Sequence, residues 1–276
     1  MQSCDLCPRC CHVNRLEGAL GFCQTGSLPI VSSAFPHHGE EAPLRGWNGS
    51  GTIFFAHCNL TCEYCQNADI SQGGEGQLFD AERLAAVMLQ LQKRGCHNIN
   101  FVSPSHVVAP IIAAVNIAAE SGLRLPLVYN TGGYDSVEAL ALLDGIIDIY
   151  MPDMKYADNE IGKCYSGVSD YADVNRAAVK EMHRQVGDLK IDDDGITRRG
   201  LLVRHLVLPG GLAGTDEIAA FLAEEVSEET YINIMDQYRP AWKSLRKDEP
   251  SLNRRPTREE ILRAKQSAAE RGLRLG

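Results

Sequence analysis

The chain has 276 residues, 44% of them hydrophobic and 23% charged, with a mean hydropathy of -0.19, a profile that fits an ordinary soluble globular protein and excludes a fibrous or disordered one. A formal net charge of -9 and a pI near 5.4 argue against nucleic acid or an anionic membrane as the main partner, since both require clustered Lys and Arg. No stretch reaches about eighteen consecutive apolar residues, and Met1-Gln2-Ser3-Cys4-Asp5 is not a basic segment leading into an apolar run, so a cytoplasmic protein is expected.

Residues 1–50 are rich in Cys, Gly, Pro and His, show little apolar periodicity, and include Phe35-Pro36-His37-His38-Gly39 and Glu40-Glu41-Ala42-Pro43. Such a segment buries too little surface to fold unaided, and is read as a small Cys-rich metal-binding extension ahead of one domain over 51–276. From residue 51 the texture changes to short β-rich runs alternating with amphipathic stretches. Strands are predicted at Thr52–Ala56, Asn98–Val102, Leu127–Asn130, Ile146–Tyr150, Leu201–Leu208 and Tyr231–Met235. Helical patterns follow at about 80–95, 106–121, 136–144, 171–186, 215–226 and 257–271, several opened by Asp, Ser or Thr at a capping position. This alternation predicts an α/β fold with a parallel sheet, and six units suit a partial (β/α)6 barrel better than a closed eightfold one. The run Asp192-Asp193-Asp194-Gly195 between short alternating segments predicts a β-hairpin before the fifth strand. A calcium loop is rejected there, because the acids are contiguous and no bidentate Glu follows at the required distance.

In such folds the chemistry sits at the carboxyl ends of the strands. Polar clusters fall there in turn: His57 to Asn67, then Ser103-Pro104-Ser105-His106, Asn130-Thr131-Gly132-Gly133, Pro152-Asp153-Met154-Lys155, Pro209-Gly210-Gly211 and Asp236-Gln237-Tyr238-Arg239. The first carries Cys58-x3-Cys62-x2-Cys65. Three thiolates from one tight loop can ligate three irons of a cubane and leave the fourth without a protein ligand, which distinguishes a catalytic cluster from an electron-transfer one. A zinc site completed by His57 is the competing assignment, but zinc prefers a closed tetrahedral set, often from paired knuckles, and the asymmetric spacing suits it poorly.

Ten cysteines are many for a reducing compartment, where disulfides rarely persist and grouped cysteines are better explained as metal or redox ligands. Cys4-x2-Cys7, Cys11 and Cys23 form a second group, with Cys10 as a neighbour and Arg9 and Arg15 to offset thiolate charge. Both a [4Fe–4S] cluster and a structural Zn²⁺ suit that spacing. Cys96 and Cys164 stand apart and are read as small hydrophobes.

The Cys-x3-Cys-x-aromatic-Cys loop, with Tyr64 as its aromatic residue, resembles that of the radical S-adenosylmethionine (SAM) superfamily. The likeness runs along the chain through Cys4-Asp5-Leu6-Cys7-Pro8-Arg9, Val128-Tyr129-Asn130-Thr131-Gly132-Gly133, Asp148 to Tyr156, Val203 to Gly210 and Met235 to Pro240. Within the superfamily the chain is similar to the pyruvate-formate-lyase activating enzyme and its uncharacterised relatives. The resemblance implies SAM bound to the open iron and cleaved reductively to methionine and a 5′-deoxyadenosyl radical, which takes hydrogen from a substrate. It further implies an electron donor such as flavodoxin or ferredoxin, and as target a glycine Cα of a glycyl radical enzyme. A small molecule or another peptide is the alternative substrate, and a zinc-binding adaptor the alternative from a different class. Cofactor contacts carry over unevenly. Ser103 and Ser105 stand where the activating enzymes hold the SAM amino group with Gly-Gly-Glu. Asp153 and Lys155 match the family's Asp-x-Lys, and Asn130 stands where those enzymes carry an acid. Arg204 matches an arginine in the fifth strand; since adjacent strand residues face opposite ways, Arg204 rather than His205 is expected in the lumen.

Overall fold

The computed structural model describes residues 1–245 and 251–276. Its strands are β1 (Ile30–His37), β2 (Ser50–Phe55), β3 (Gln77–Leu78), β4 (Ile99–Val102), β5 (Leu127–Thr131), β6 (Ile149–Pro152), β7 (Lys190–Ile191), β8 (Thr197–Leu206), β9 (Tyr231–Met235) and β10 (Arg274–Leu275). They form one sheet in the order β10-β9-β8-β6-β5-β4-β2-β1-β3, with β7 attached to β8. Neighbours from β2 through β9 along this path are parallel. The path does not close, so the fold is an open, partial barrel of six βα units.

Parallel pairing demands crossovers, and the amphipathic stretches supply them as helices Ala81–Lys93, Val108–Glu120, Val137–Ala141, Tyr171–Val186, Thr215–Phe221 and Arg258–Glu270. Local chemistry sets their starts. The Asp80 carboxylate accepts from the Arg83 amide at 2.8 Å, and Thr257 with Glu260 forms a reciprocal capping box. Alternation along each strand then divides the residues between two faces. Ile53, Phe55, Ile99, Phe101, Leu127, Tyr129, Tyr150, Leu201, Val203, Ile232 and Ile234 pack with the helices in the main core. Val128, Ile149, Met151 and Leu202 join Leu44 and Leu189 in a separate apolar cluster. The fully buried Leu44 closes the amino-terminal end of the lumen, where its carbonyl accepts from Asn98 at 2.8 Å. The polar clusters lie at the opposite end, after the strands.

The sheet reaches further toward the amino terminus than the run of predicted strands. β1 lies inside the segment read as the extension, yet it pairs antiparallel with β2 over most of its length. Its alternation is hidden by a bulge between Val31 and Ser33 and by Pro36, a residue tolerated because only Ile30 and Val31 pair on the outer side, with β3. The fourth strand starts at Ile149 rather than Ile146, since the Ile146 and Ile147 amides donate to the Leu143 carbonyl in the preceding turn. β8 begins at Thr197 because its first residues pair with β7 in the hairpin around Asp192–Gly195, where Asp192 Oδ1 accepts from the Asp194 and Ile196 amides. A short helix, Asn159–Ser166, went unforeseen; Asp158 caps it by accepting from the Glu160 amide at 2.6 Å.

Candidate active site

The loop after β2 leaves the sheet through His57, whose φ of 65° is left-handed, and is then fixed on several sides. The Thr61 and Glu63 amides donate to the carbonyls of Ser166 and Tyr165 at 3.1 and 2.8 Å. Asn59 Nδ2 donates to the Tyr134 carbonyl at 2.6 Å, and Arg9 Nε donates to the Asn59 carbonyl at 2.9 Å. Held in this way, Cys58, Cys62 and Cys65 line one cavity with Asn67, Ser71, Gln72, Val102, Ser103, Asn130, Thr131, Gly132, Asp153, Lys155 and Arg204. Each sulfur has a polar neighbour: the Leu60 amide at 3.4 Å from Cys58, the Ser166 hydroxyl at 3.0 Å from Cys62, the Ser71 hydroxyl at 3.1 Å from Cys65. Burial, reinforced by neighbouring Cys62, pushes the Cys58 thiol up to about 12. Burial also raises Cys62, against the opposing pull of the Lys155 ammonium.

Across the cavity stands a compact charge network. Lys155 Nζ lies 2.6 Å from Asp153 Oδ2, Arg204 Nε donates to Asp153 Oδ1 at 2.9 Å, and Arg204 Nη2 donates to Asn130 Oδ1 at 2.8 Å. Burial alone would raise the Asp153 carboxyl, but Arg204 and Lys155 outweigh it and hold the group below the ordinary carboxylate range. Burial likewise opposes the Lys155 ammonium, yet Asp153 and Cys62 keep it well above its usual value. Beneath lie two carboxylates that the sequence reading passed over. Glu40 accepts from Asn100 Nδ2 at 2.9 Å, and Glu41 lies 4.0 Å from Arg204 while accepting from Asn233 Nδ2 at 3.1 Å. Burial pushes the Glu40 carboxyl up, which limits the negative charge stored under the network. Their acidic pair ahead of Pro43 was a visible signal, but without β1 there was no reason to place it in the lumen.

Not every residue singled out in the sequence reaches the cavity. Ser103, at a left-handed φ of 58°, does. Ser105 turns away: its hydroxyl lies 3.0 Å from that of Thr131, beside the buried Asp135 carboxylate. Tyr64 is buried behind the loop, its hydroxyl 2.6 Å from that of Tyr156, so it braces the cysteines and does not line the site. Arg204 enters the lumen, while His205 faces the opposite way and is held by the Met154 carbonyl at 2.7 Å and the Thr215 hydroxyl at 2.9 Å. His57, the residue that would complete a zinc set, is not among the lining residues.

The Gly132-Gly133 turn brings backbone where side chains cannot go. A Cβ on Gly133, at φ 78°, would fall 2.1 Å from the Asp153 carbonyl oxygen, and one on Gly132 would press on Leu60 at 3.1 Å. Gly133→Ala is therefore expected to destabilise the fold by about 3 kcal/mol or more, from strain and displaced backbone together, read as a lowered urea midpoint.

The Radical SAM superfamily model matches residues 52–210, more than half of the chain, from β2 to the turn after β8. The chain belongs to the radical SAM superfamily. A curated relative, the uncharacterized protein MJ0674 of Methanocaldococcus jannaschii, is 32% identical over 99% of this chain and 76% of its own length. Among solved structures, a radical SAM methyltransferase from Sphaerobacter thermophilus superposes with a TM-score of 0.51 at 16% identity, over 82% of this chain and 65% of that one. SuiB of Streptococcus suis, solved with S-adenosylmethionine bound, gives 0.54 at 10% identity over 80% of this chain and 48% of that one. At such identities the two structures attest a shared fold. Membership of the radical SAM superfamily implies a [4Fe–4S] cluster and SAM, and the cavity's sulfurs fit the cluster. The cavity offers three thiols and, among the described residues, no fourth cysteine, which is what a cubane with one free iron requires.

Proposed function

We propose that this radical SAM protein generates a 5′-deoxyadenosyl radical at the carboxyl end of its barrel and uses it to take a hydrogen atom from a substrate. The observation that carries the proposal is the convergence of Cys58, Cys62 and Cys65 on the Asp153, Lys155 and Arg204 network across one polar cavity. Bound there, the cluster would supply one electron to the SAM sulfonium and so split it into methionine and the radical. The chain's own part is to bind and orient. Lys155 has two ammonium protons beyond the one directed at Asp153, and Arg204 has donors beyond those spent on Asp153 and Asn130. Both cations can thus meet a carboxylate or ribose hydroxyls. Asp153 fixes the two side chains before SAM arrives, which lowers the entropy lost on binding. Ser103 and Asn130 add polar atoms on the neighbouring strands. Leu44 and its apolar neighbours fill the base of the lumen.

The sequence resemblance extends the proposal to a glycine Cα of a glycyl radical enzyme, with flavodoxin or ferredoxin as electron donor in the cytoplasm, where free thiols persist. Among the described residues no helix is long and apolar enough to cross a membrane. The test has two parts. Anaerobic protein reduced with dithionite and given SAM is expected to form 5′-deoxyadenosine, measured by chromatography; none formed by cluster-loaded protein would overturn the radical reading. Adding a glycyl radical enzyme from the same organism should give a protein-based radical by electron paramagnetic resonance. Silence there, with 5′-deoxyadenosine still formed, would sink the activase reading alone.

A further inference from the structure

The Cys-rich segment ahead of β1 encloses a second cavity, away from the lumen. Its lining includes Cys4, Cys7, Cys10, Cys11 and Cys23 together with Arg9 and Arg15, and of these cysteines Cys10 is the exposed one. The backbone is folded tightly about these sulfurs. The Cys4 amide donates to the Val13 carbonyl at 3.0 Å and the Cys10 amide to the Cys7 carbonyl at 3.1 Å, while Cys10, His12 and Gln24 take left-handed φ values. No disulfide joins the cysteines.

Two features say what this cavity is shaped to hold. The first is charge. Arg15 is 1% exposed, and its Nη1 is 3.7 Å from Cys4 Sγ, while its Nη2 is buried with no hydrogen-bond partner. Buried guanidinium donors left unpaired are costly, and four neutral thiols cannot repay them, whereas a cluster of thiolates with net negative charge can. The Phe22 amide, directed at Cys11 Sγ at 3.4 Å, is a further donor of the kind that stabilises such sulfurs. The second feature is spacing. Among the described residues no three Cys, His, Asp or Glu side chains are grouped closely enough to share one metal ion, as a zinc site with thiolates about 2.3 Å from the metal requires, whereas a cubane takes its four thiolates on four separate irons, further apart.

We propose that Cys4, Cys7, Cys11 and Cys23 bind a second [4Fe–4S] cluster, fully ligated by protein and charge-compensated by Arg15. The site does not depend on the reading of the lumen, but it abuts it. Arg9 Nε donates to the Asn59 carbonyl and Arg15 Nη1 to the His106 carbonyl at 2.8 Å, while His106 Nε2 lies 3.0 Å from the Ala56 carbonyl. Arg15 beside the Cys4 sulfur, and Arg9 stacked on the Phe22 ring, thus link the second site to the backbone on either side of Cys58.

The test uses the full chain, reconstituted anaerobically with ferrous iron and sulfide. Wild type is expected to carry about eight irons, and the variant Cys58→Ala/Cys62→Ala/Cys65→Ala, which leaves the amino-terminal segment untouched, about four. After dithionite reduction, that variant should give a cubane signal by electron paramagnetic resonance that added SAM does not move, because no iron is open. Iron-free triple variant, or one zinc and no iron, would overturn the proposal, as would a signal that shifts with SAM. The ligand set has its own control. Cys10 is exposed, and Cys10→Ser should retain all the iron, whereas Cys11→Ser should lower it; the reverse result would reject the assigned set.

Discussion

Replacing Cys62 by alanine is expected to reduce 5′-deoxyadenosine formation to the level of a protein-free control. Cys62 is one of three sulfurs available to the cluster in the lumen, and the cavity has no fourth cysteine among the described residues to replace it. The neighbouring Ser166 hydroxyl, 3.0 Å from Cys62 Sγ, is a poor iron ligand by comparison with a thiolate. The loop itself should survive, since Thr61 and Glu63 keep their backbone bonds to Ser166 and Tyr165. Cys96→Ala is the contrasting case. That sulfur is 3% exposed within the main core, packed among aliphatic residues, so its loss should cost about 1 kcal/mol of stability and leave product formation unchanged. Chromatography after a single anaerobic incubation distinguishes the two. Wild-type product levels from Cys62→Ala would mean that cluster and cysteine loop are unconnected.

The six parallel strands were legible because each is a short apolar run bounded by polar residues, and the crossover helices because their caps and periodicity survive in isolation. What could not be read is where long-range pairing decides. β1 is interrupted by a bulge and a proline, features that local patterning counts against a strand, and only its pairing with β2 makes it one. Placing β1 on the sheet is also what carries Glu40 and Glu41 into the lumen. The candidate site was legible to a similar depth. Residues directly after strands, such as Asn130, Asp153 and Lys155, share the cavity with the cysteines, since topology alone brings strand ends together. Ser105 and Tyr64 are two residues whose direction depends on local packing: Ser105 pairs with Thr131, and Tyr64 with Tyr156 and Tyr238. Residue type and spacing cannot decide such a choice. Nor could sequence spacing alone separate a cubane from zinc at Cys4, Cys7, Cys11 and Cys23, where the folded side chains, among the described residues, are not grouped to share one ion.

Removing the carboxylate of Asp153 should have the second-largest effect, and its pH dependence follows from the charges around it. Asp153 and Lys155 have side chains only 16% and 17% exposed, as does Arg204 at 17%. Asp153→Asn preserves the shape but leaves two nearly buried cations facing a neutral amide, with Glu41 at 4.0 Å from Arg204 as partial compensation. Breaking a buried pair typically costs about 3–5 kcal/mol, and the residual exposure and Glu41 place this case near the lower end, about 3 kcal/mol. Because Arg204 and Lys155 hold the folded carboxyl below its ordinary value of 3.8, the wild-type advantage is fully present above that value. It is lost as pH falls through the lower, folded value, where the native state too takes up the proton. Urea midpoints of cluster-free wild type and Asp153→Asn should therefore differ by a constant amount between about pH 5 and 8 and converge in stronger acid. A gap that widened on acidification would show that Asp153 is destabilised by its burial rather than held ionised by the two cations. In the cluster-loaded protein the same change should weaken SAM binding, since Lys155 and Arg204 would no longer be fixed in advance toward the cavity.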